Sequence, residues 1–219
     1  NFINPITFET LTGNKCLVDT FDRNFQFNVE HVSLAKLADI FLVAPASADV
    51  IGKIANGIAD DMLTTTIMAC KCPKLISPAM NTNMFTNPIV QDNLKKLEHY
   101  GYEIIQPDSG YLACGDTGAG KMPSEQVLLN YILRTIAKDK DMTGIKLTVT
   151  AGPTREKLDP VRFLSNNSTG KMGYAIAKMA MLRGADVTLI SGKVSLEPVP
   201  FVKMVDIVSA EDMYNAVIK

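Results

Sequence analysis

The chain has 219 residues, 47% of them hydrophobic and 21% charged, with a net charge of −1. That length holds one large or two small domains, and that balance is a globular one. The near-zero charge offers no electrostatic footprint for nucleic acid or an anionic membrane surface, no apolar run approaches the ~20 residues of a membrane span, and no signal-peptide pattern opens the chain. In chain order, Asn4 as N-cap, Pro5 at the first helical position and Gly13 as terminator predict a short helix over residues 4–13. Residues 16–18 read as a short strand and residues 19–28, polar and aromatic, as a loop. His31 opens a short helical turn over residues 31–37 that feeds a strand over residues 40–44. That strand is apolar on both parities, as in a parallel strand covered on both faces.

Pro45-Ala46-Ser47-Ala48-Asp49 follows directly, and a helix is predicted over residues 50–56 with Ser47 or Asp49 as its cap. Small residues there let a ligand approach the backbone, and free N–H groups at a helix start favour a phosphate or an electron-rich ring. A second helix runs from residue 57 to near Cys70. Leu75-Ile76 reads as a buried strand that Pro78 stops, because proline has no N–H to give. Met80-Asn81 then stands in a loop past the carboxyl end of a strand, where open α/β sheets bind ligands. An amide there can grip a carboxylate with defined geometry. A helix over residues 88–99 and a strand over residues 103–105 follow.

Residues 108–123 carry four glycines, at positions 110, 115, 118 and 120. They read as a long loop and, being long, a functional one. Gly115 to Lys121 spells G-x-x-x-x-G-K, but Met122 stands where a magnesium-binding hydroxyl belongs and no strand leads into Gly115, so a phosphate-binding loop is rejected. The segment is read instead as a lid with Cys114 at its working end. Of the four cysteines, Cys70 and Cys72 are too closely spaced for a zinc site and lack ligand partners. Cys16, Cys70 and Cys72 are expected to pack as small hydrophobes, in a chain read as cytoplasmic and reduced. His99 is read as a solvated surface residue. His31 is a structural histidine or a general base, the type whose pKa suits proton transfer at neutral pH.

The amphipathic stretch 125–137 closes a first domain, residues 1–138. A charged linker spans 139–145, and a second domain begins at 146. Its predicted elements are a strand over 146–150, a loop over Ala151-Gly152-Pro153-Thr154-Arg155, and a helix over 174–183 ended by Gly184. A strand over 186–190, a third strand within 202–208, and a last helix opened by Ser209 and Asp212 as a capping box complete it. Ser165 and Met172 exclude a Walker motif at Gly170-Lys171. Ser168-Thr169-Gly170 at a helix start still offers N–H groups to an anion, with Arg155 and Arg162 as bidentate candidates beside a capped-helix reading. Alternating strands and helices imply parallel sheets, hence an α/β fold in two successive units.

Together these residues resemble a known family along essentially the whole chain: the bacterial bifunctional flavoproteins that combine phosphopantothenoylcysteine decarboxylase and phosphopantothenate–cysteine ligase in coenzyme A synthesis. The matching motifs of the first half are Val43-Ala44-Pro45-Ala46-Ser47-Ala48, Asn56-Gly57-Ile58-Ala59-Asp60-Asp61, Pro78-Ala79-Met80-Asn81 with Met84, and Leu112-Ala113-Cys114-Gly115. Those of the second half are Thr150-Ala151-Gly152-Pro153-Thr154-Arg155-Glu156, Leu158-Asp159-Pro160-Val161-Arg162, and Asn166 to Gly173.

The resemblance implies a flavodoxin-like or Rossmann-like flavin domain followed by a partial Rossmann-like ligase domain. It implies FMN contacts at Thr7, Pro45, Ala46, Ser47, Ala48 and Ala79, with His31 as active-site histidine, Asn81 on the substrate carboxylate and Cys114 as proton donor. In the second half it implies CTP with Mg2+, phosphate contacts at Gly152, Ser168, Thr169 and Gly170, and Asn166 near the acyl group. Phosphopantothenate, cysteine and phosphopantothenoylcysteine are the implied substrates. The implied assembly is a homo-oligomer of trimeric flavin domains and dimeric ligase domains, in which His31 completes a neighbour's site.

The family's N-terminal strand with its glycine-rich turn and its lysine-rich CTP segment are absent from this sequence, and the opening at Asn1-Phe2 reads like the middle of a domain. A competent ligase is therefore not expected from these residues alone. Two alternatives stand beside this reading: a non-catalytic FMN-binding regulatory subunit, and a decarboxylase of peptide C-terminal cysteines.

Overall fold

The computed structural model describes residues 3–18, 30–111, 115 and 117–218. The chain divides into two compact units, residues 1–128 and 129–219. Each holds its own parallel sheet, of three strands among the described residues.

The first unit opens with α1 (Pro5–Thr12), capped by Asn4 and ended by Gly13 in the left-handed region at φ 68°. Residues 16–18, expected as a strand, are irregular; the Cys16 N–H is satisfied locally by Glu9 Oε1 at 2.9 Å rather than by a neighbouring strand. After α2 (Glu30–Leu37) come β1 (Phe41–Ala46), α3 (Ala48–Ala55), α4 (Met62–Ala69), β2 (Lys74–Pro78), α5 (Thr82–Phe85), α6 (Pro88–His99) and β3 (Glu103–Ile104). The sheet order is β1-β2-β3, all parallel. β2 is buried on successive residues from Leu75 to Pro78, so both of its faces are covered, as the apolar run required. Ile51, Ile67, Ile76 and Leu97 fill the core, each fully buried and worth about 1.5–3 kcal/mol of transfer free energy. The second helix starts at Met62 rather than residue 57, because the Asp61 and Thr64 side chains form a capping box there.

Residues 108–123 are not a long loop. They fold as an antiparallel hairpin, β4 (Asp108–Tyr111) against β5 (Thr117–Lys121). Cys114 lies in its connection, outside the described residues. Lys121 ends a strand instead of opening a helix, which agrees with the rejection of a phosphate-binding loop.

α7 (Glu125–Ile136) crosses the division between the units, and its second half belongs to the second one. There Arg134 stacks 4.1 Å from the Phe201 ring. The charged stretch after α7 is tied down rather than free: Lys140 donates to the carbonyls of Arg134 and Leu182, and Asp141 accepts a two-pronged contact from Arg183. The second unit continues with β6 (Lys146–Ala151), the antiparallel hairpin β7 (Arg155–Lys157) and β8 (Phe163–Ser165), α8 (Lys171–Leu182), β9 (Asp186–Ser191), β10 (Lys203–Asp206) and α9 (Ala210–Ile218). Its sheet order is β10-β9-β6, again parallel. Leu189, Val187 and Ala177 form its core. Ser209 and Asp212 make the expected reciprocal cap, Asp212 Oδ2 accepting the Ser209 N–H at 2.8 Å and Ser209 Oγ accepting the Asp212 N–H at 3.1 Å.

Candidate functional site

In the first unit β1 and β2 end side by side, with Ala46 and Pro78 as register partners. The loops that leave them stay joined: the Ala79 N–H donates to the Ala46 carbonyl at 3.0 Å. Ser47 accepts the Val50 N–H at 3.3 Å and so caps α3. Asn81 accepts the Asn83 N–H on Oδ1 at 2.8 Å and so starts α5. The Met80 N–H donates to the Gly120 carbonyl at 3.0 Å, which seats β5 against the same loop. The result is a ledge at the carboxyl edge of the sheet made of small side chains. Ala46 is buried, Ala48 and Ala79 are half-buried, and Pro45 and Ser47 are exposed. Nothing longer than a hydroxymethyl group projects from residues 46–48 or 79, so the backbone there stays open to approach, and the α3 start presents N–H groups beside it.

The turn after α3 is braced by one cation. Lys53 Nζ lies 3.0 Å from Asp60, 3.5 Å from Asp61 and 3.6 Å from Asp49. The Asp60 hydrogen bond, joined by the charges of the three carboxylates, raises the Lys53 ammonium above its ordinary value. Partial burial pushes the Asp61 carboxyl up, but hydrogen bonds from the Thr64 N–H and hydroxyl, with Lys53 nearby, outweigh it and hold the carboxyl below its usual range. Burial, with Cys72 alongside, pushes the Cys70 thiol up, consistent with a packed and unreactive cysteine.

The second unit builds its site differently. A cavity of about 470 Å³ is lined by Ala151, Gly152, Ser168, Thr169, Gly170 and Lys171, among others. Gly152 and Gly170 hold φ values of 74° and 77°, and a Cβ on either would meet Val194 Cγ1 at 2.8 or 3.0 Å. A Cβ on Gly173 would lie 2.6 Å from Ala151 Cβ and 2.9 Å from the Thr150 carbonyl, so α8 sits directly on β6. Gly192, after β9, abuts the Pro153 carbonyl. Gly170 stands at the N-cap of α8 without a side-chain cap, which leaves the first N–H groups of that helix facing the cavity. Asn166 Oδ1 accepts the Ser168 N–H at 2.9 Å and shapes the approach loop. Backbone N–H groups at a helix start are the kind of donors that take anions.

Residues 1–137 match the Flavoprotein family, and residues 142–219 match the DNA/pantothenate metabolism flavoprotein C-terminal domain. The chain belongs to the Flavoprotein family. It is also a homologue of the coenzyme A biosynthesis bifunctional proteins CoaBC: the Bacillus subtilis protein is 45% identical over 220 residues, covering 99% of this chain and 54% of the relative. The chain thus spans about half the length of the curated relatives it matches. Among solved structures, the FMN-dependent cysteine decarboxylase SpaF superposes with a TM-score of 0.50 and 34% identity, over 58% of this chain and 68% of that one. An EPID variant complexed with substrate peptide DSYTC gives 0.52 and 30%, over 61% of this chain and 76% of that one.

Within this member of the Flavoprotein family, the structure brings Ala46, Ser47, Ala48, Ala79 and Asn81 together at one sheet edge. Thr7 stands on α1, a helix with no buried residue. His31 is half-buried in the first turn of α2, which packs on α4. In the second unit Gly152, Ser168, Thr169 and Gly170 converge, with Asn166 in the adjoining turn. Arg155 and Arg162 do not line that cavity. Arg155 stacks 4.6 Å from the Phe163 ring and Arg162 pairs with Asp159, both within the β7–β8 hairpin. Sequence reasoning missed Gly173, in the first turn of α8, and Gly192, directly after β9, as parts of the cradle; a glycine just past a strand end is the signal that marks close backbone approach. No cluster of three or more acidic, His or Cys side chains placed to hold a metal occurs among the described residues. No helix among them is long and apolar enough to cross a membrane.

Proposed function

We propose that the first unit carries an FMN-dependent phosphopantothenoylcysteine decarboxylase site, and the second a part of a CTP-dependent phosphopantothenate–cysteine ligase. The observation that supports this most is the joined pair of strand-end loops, Ala46 to Ala48 and Ala79 to Asn81, in a chain that resembles CoaBC proteins from end to end. Pro45, Ala46, Ser47, Ala48 and Ala79 would take the flavin, with Thr7 as an outlying candidate. Asn81, with Oδ1 committed to α5, holds a fixed rotamer from which its amide grips the substrate carboxylate.

The reaction needs an electron sink, because the carbon that loses CO2 sits beside an amide nitrogen. Oxidising the substrate thiol to a thioaldehyde provides one: the carbon–carbon bond to the carboxylate breaks, its electron pair moves toward C=S, and CO2 and an enethiolate result. The cofactor's part, when bound, is to hold two electrons between thiol oxidation and re-reduction, so that the net reaction is redox-neutral. His31 is assigned the base that takes the thiol proton, from a neighbouring subunit in the trimer the resemblance implies. Cys114 is assigned the acid that returns a proton to carbon, a role that a thiol can fill.

In the second unit the cradle of Gly152, Ser168, Thr169 and Gly170 would hold the triphosphate of CTP, and Mg2+ would come with the phosphates, as is usual for that cation. Asn166 would face the acyl group of phosphopantothenate. The test supplies the purified protein with FMN and phosphopantothenoylcysteine and measures CO2 and 4'-phosphopantetheine, with a peptide ending in cysteine as competitor. One CO2 per product and no turnover of the peptide support the reading. Turnover of the peptide alone favours the peptidyl-cysteine alternative, and flavin binding without turnover of either favours the regulatory subunit.

A further inference from the structure

We propose that Gly118 and Gly120 are positioning residues for the Asn81 loop: by lacking side chains they let β5 seat directly on residues 80–82. The inference rests on the decarboxylase reading of Asn81, but its geometry is independent of it. Three observations converge on the seat. The Met80 N–H donates to the Gly120 carbonyl at 3.0 Å. A Cβ on Gly120 would run into the Met80 carbonyl oxygen, and Gly120 holds φ 129°, a conformation that favours glycine. A Cβ on Gly118 would run into the Thr82 side chain, 3.0 Å from Cγ2 and closer still to Oγ1.

The Thr82 hydroxyl shows how close the seat is. It is buried and has no hydrogen-bond partner among the described residues, with Gly118 packed against it. Buried hydroxyls are normally bonded, so this one marks a contact set by proximity and not by polarity. α5, which Thr82 opens, packs against β5. Because Asn81 is the cap of α5, the height of β5 sets where the Asn81 amide stands. A displacement of about 1 Å at such a group costs up to ~10²-fold in rate.

The two glycines differ in what opposes them, and this provides the test. Gly118 meets a side chain that can be shortened; Gly120 meets backbone that cannot. Gly118→Ala is expected to speed amide hydrogen exchange at Met80 and to raise the KM for phosphopantothenoylcysteine about tenfold or more, with flavin absorbance retained. Adding Thr82→Ala to Gly118→Ala should restore most of both readouts, because the Oγ1 and Cγ2 contacts are gone and only the 3.2 Å approach to the Thr82 Cβ remains. Adding Thr82→Ala to Gly120→Ala should restore neither. The proposal is overturned if Met80 exchange in Gly118→Ala matches the parent protein, or if Thr82→Ala fails to restore Gly118→Ala or restores Gly120→Ala equally well. Should Gly120→Ala not fold, the Gly118→Ala and Gly118→Ala/Thr82→Ala pair decides alone. A parent protein inactive on the substrate would defeat the decarboxylase reading while Met80 exchange still reports on the seat.

Discussion

The two units place their candidate sites at the same location in the fold, the carboxyl edge of a parallel sheet, and build them by opposite means. The first unit relies on side chains that do two jobs at once. Ser47 and Asn81 each cap a helix where the site is to be, and their hydrogen bonds fix them there. The second unit lines its site with glycines, whereas the first uses glycine only to seat β5 against the Asn81 loop. Gly152, Gly170, Gly173 and Gly192 let two loops and a helix approach within distances that an added Cβ would crowd. The difference follows the proposed chemistry. A carboxylate and a proton in flight need functional groups at fixed angles, whereas a triphosphate needs backbone N–H groups and room.

The largest effect should come from removing a group in the first unit. Cys114→Ser keeps the size of the side chain but raises its pKa out of range, so formation of 4'-phosphopantetheine should slow by about 10²–10⁴-fold. Release of CO2 should survive, because it precedes the protonation step; quenched-flow assay of the two products would separate them. Loss of both together would move Cys114 into the oxidation half.

Next in size is the introduction of a side chain in the second unit. Gly173→Val places its Cβ against Ala151 Cβ, 2.6 Å away, and should destabilise by about 1–3 kcal/mol through overpacking. Differential scanning calorimetry should show the loss in the second unit's transition, with the first unit's transition in place. Equal loss in both would mean that the units are not separate cooperative bodies.

Smaller still is the cap. Ser47→Ala removes the acceptor for the Val50 N–H and should cost about 1 kcal/mol of first-unit stability. On the proposed site it should also weaken FMN, read by fluorescence titration; an unchanged flavin affinity would confine Ser47 to capping.

The smallest effect is electrostatic. The folded-state pKa of Asp61 is depressed, so its contribution is present above the unfolded value near ~3.9 and fades as pH falls through the lower folded value. Asp61→Asn lacks this titration. Thermal midpoints of the two proteins should differ most above about pH 5 and converge below about pH 4, and a difference that grew on acidification would reverse the sign argued here.

Much of this was legible from residue types alone, where local rules decide. Asn4, Pro5 and Gly13 framed α1, and Ser209 with Asp212 framed α9, because caps act within one turn of the chain. Pairing between distant residues was not legible. β4–β5 was read as a loop because glycines at 110, 118 and 120 carry no alternating pattern, and their reason for being glycine lies in contacts such as those with Met80 and Thr82. β7–β8 was missed for a related reason: all three residues of β8 are exposed, so no buried face announces the strand. The loops after β1 and β2 were legible as loops because Ser47 as a cap and Pro78 as a strand stop are local signals. Gly173 and Gly192 were not assigned, because what they touch, Ala151 and Pro153, is visible only once the strands are side by side.

The central claim is that Asn81 presents its amide to a carboxylate that leaves as CO2. Asn81→Asp keeps the shape and an oxygen for the Asn83 cap while setting one carboxylate against another. The decisive measurement is CO2 released from one equivalent of phosphopantothenoylcysteine by FMN-loaded protein, parent and variant side by side. The parent should release one equivalent, and Asn81→Asp almost none while its flavin absorbance is retained. Release by Asn81→Asp at the parent's rate would contradict the account.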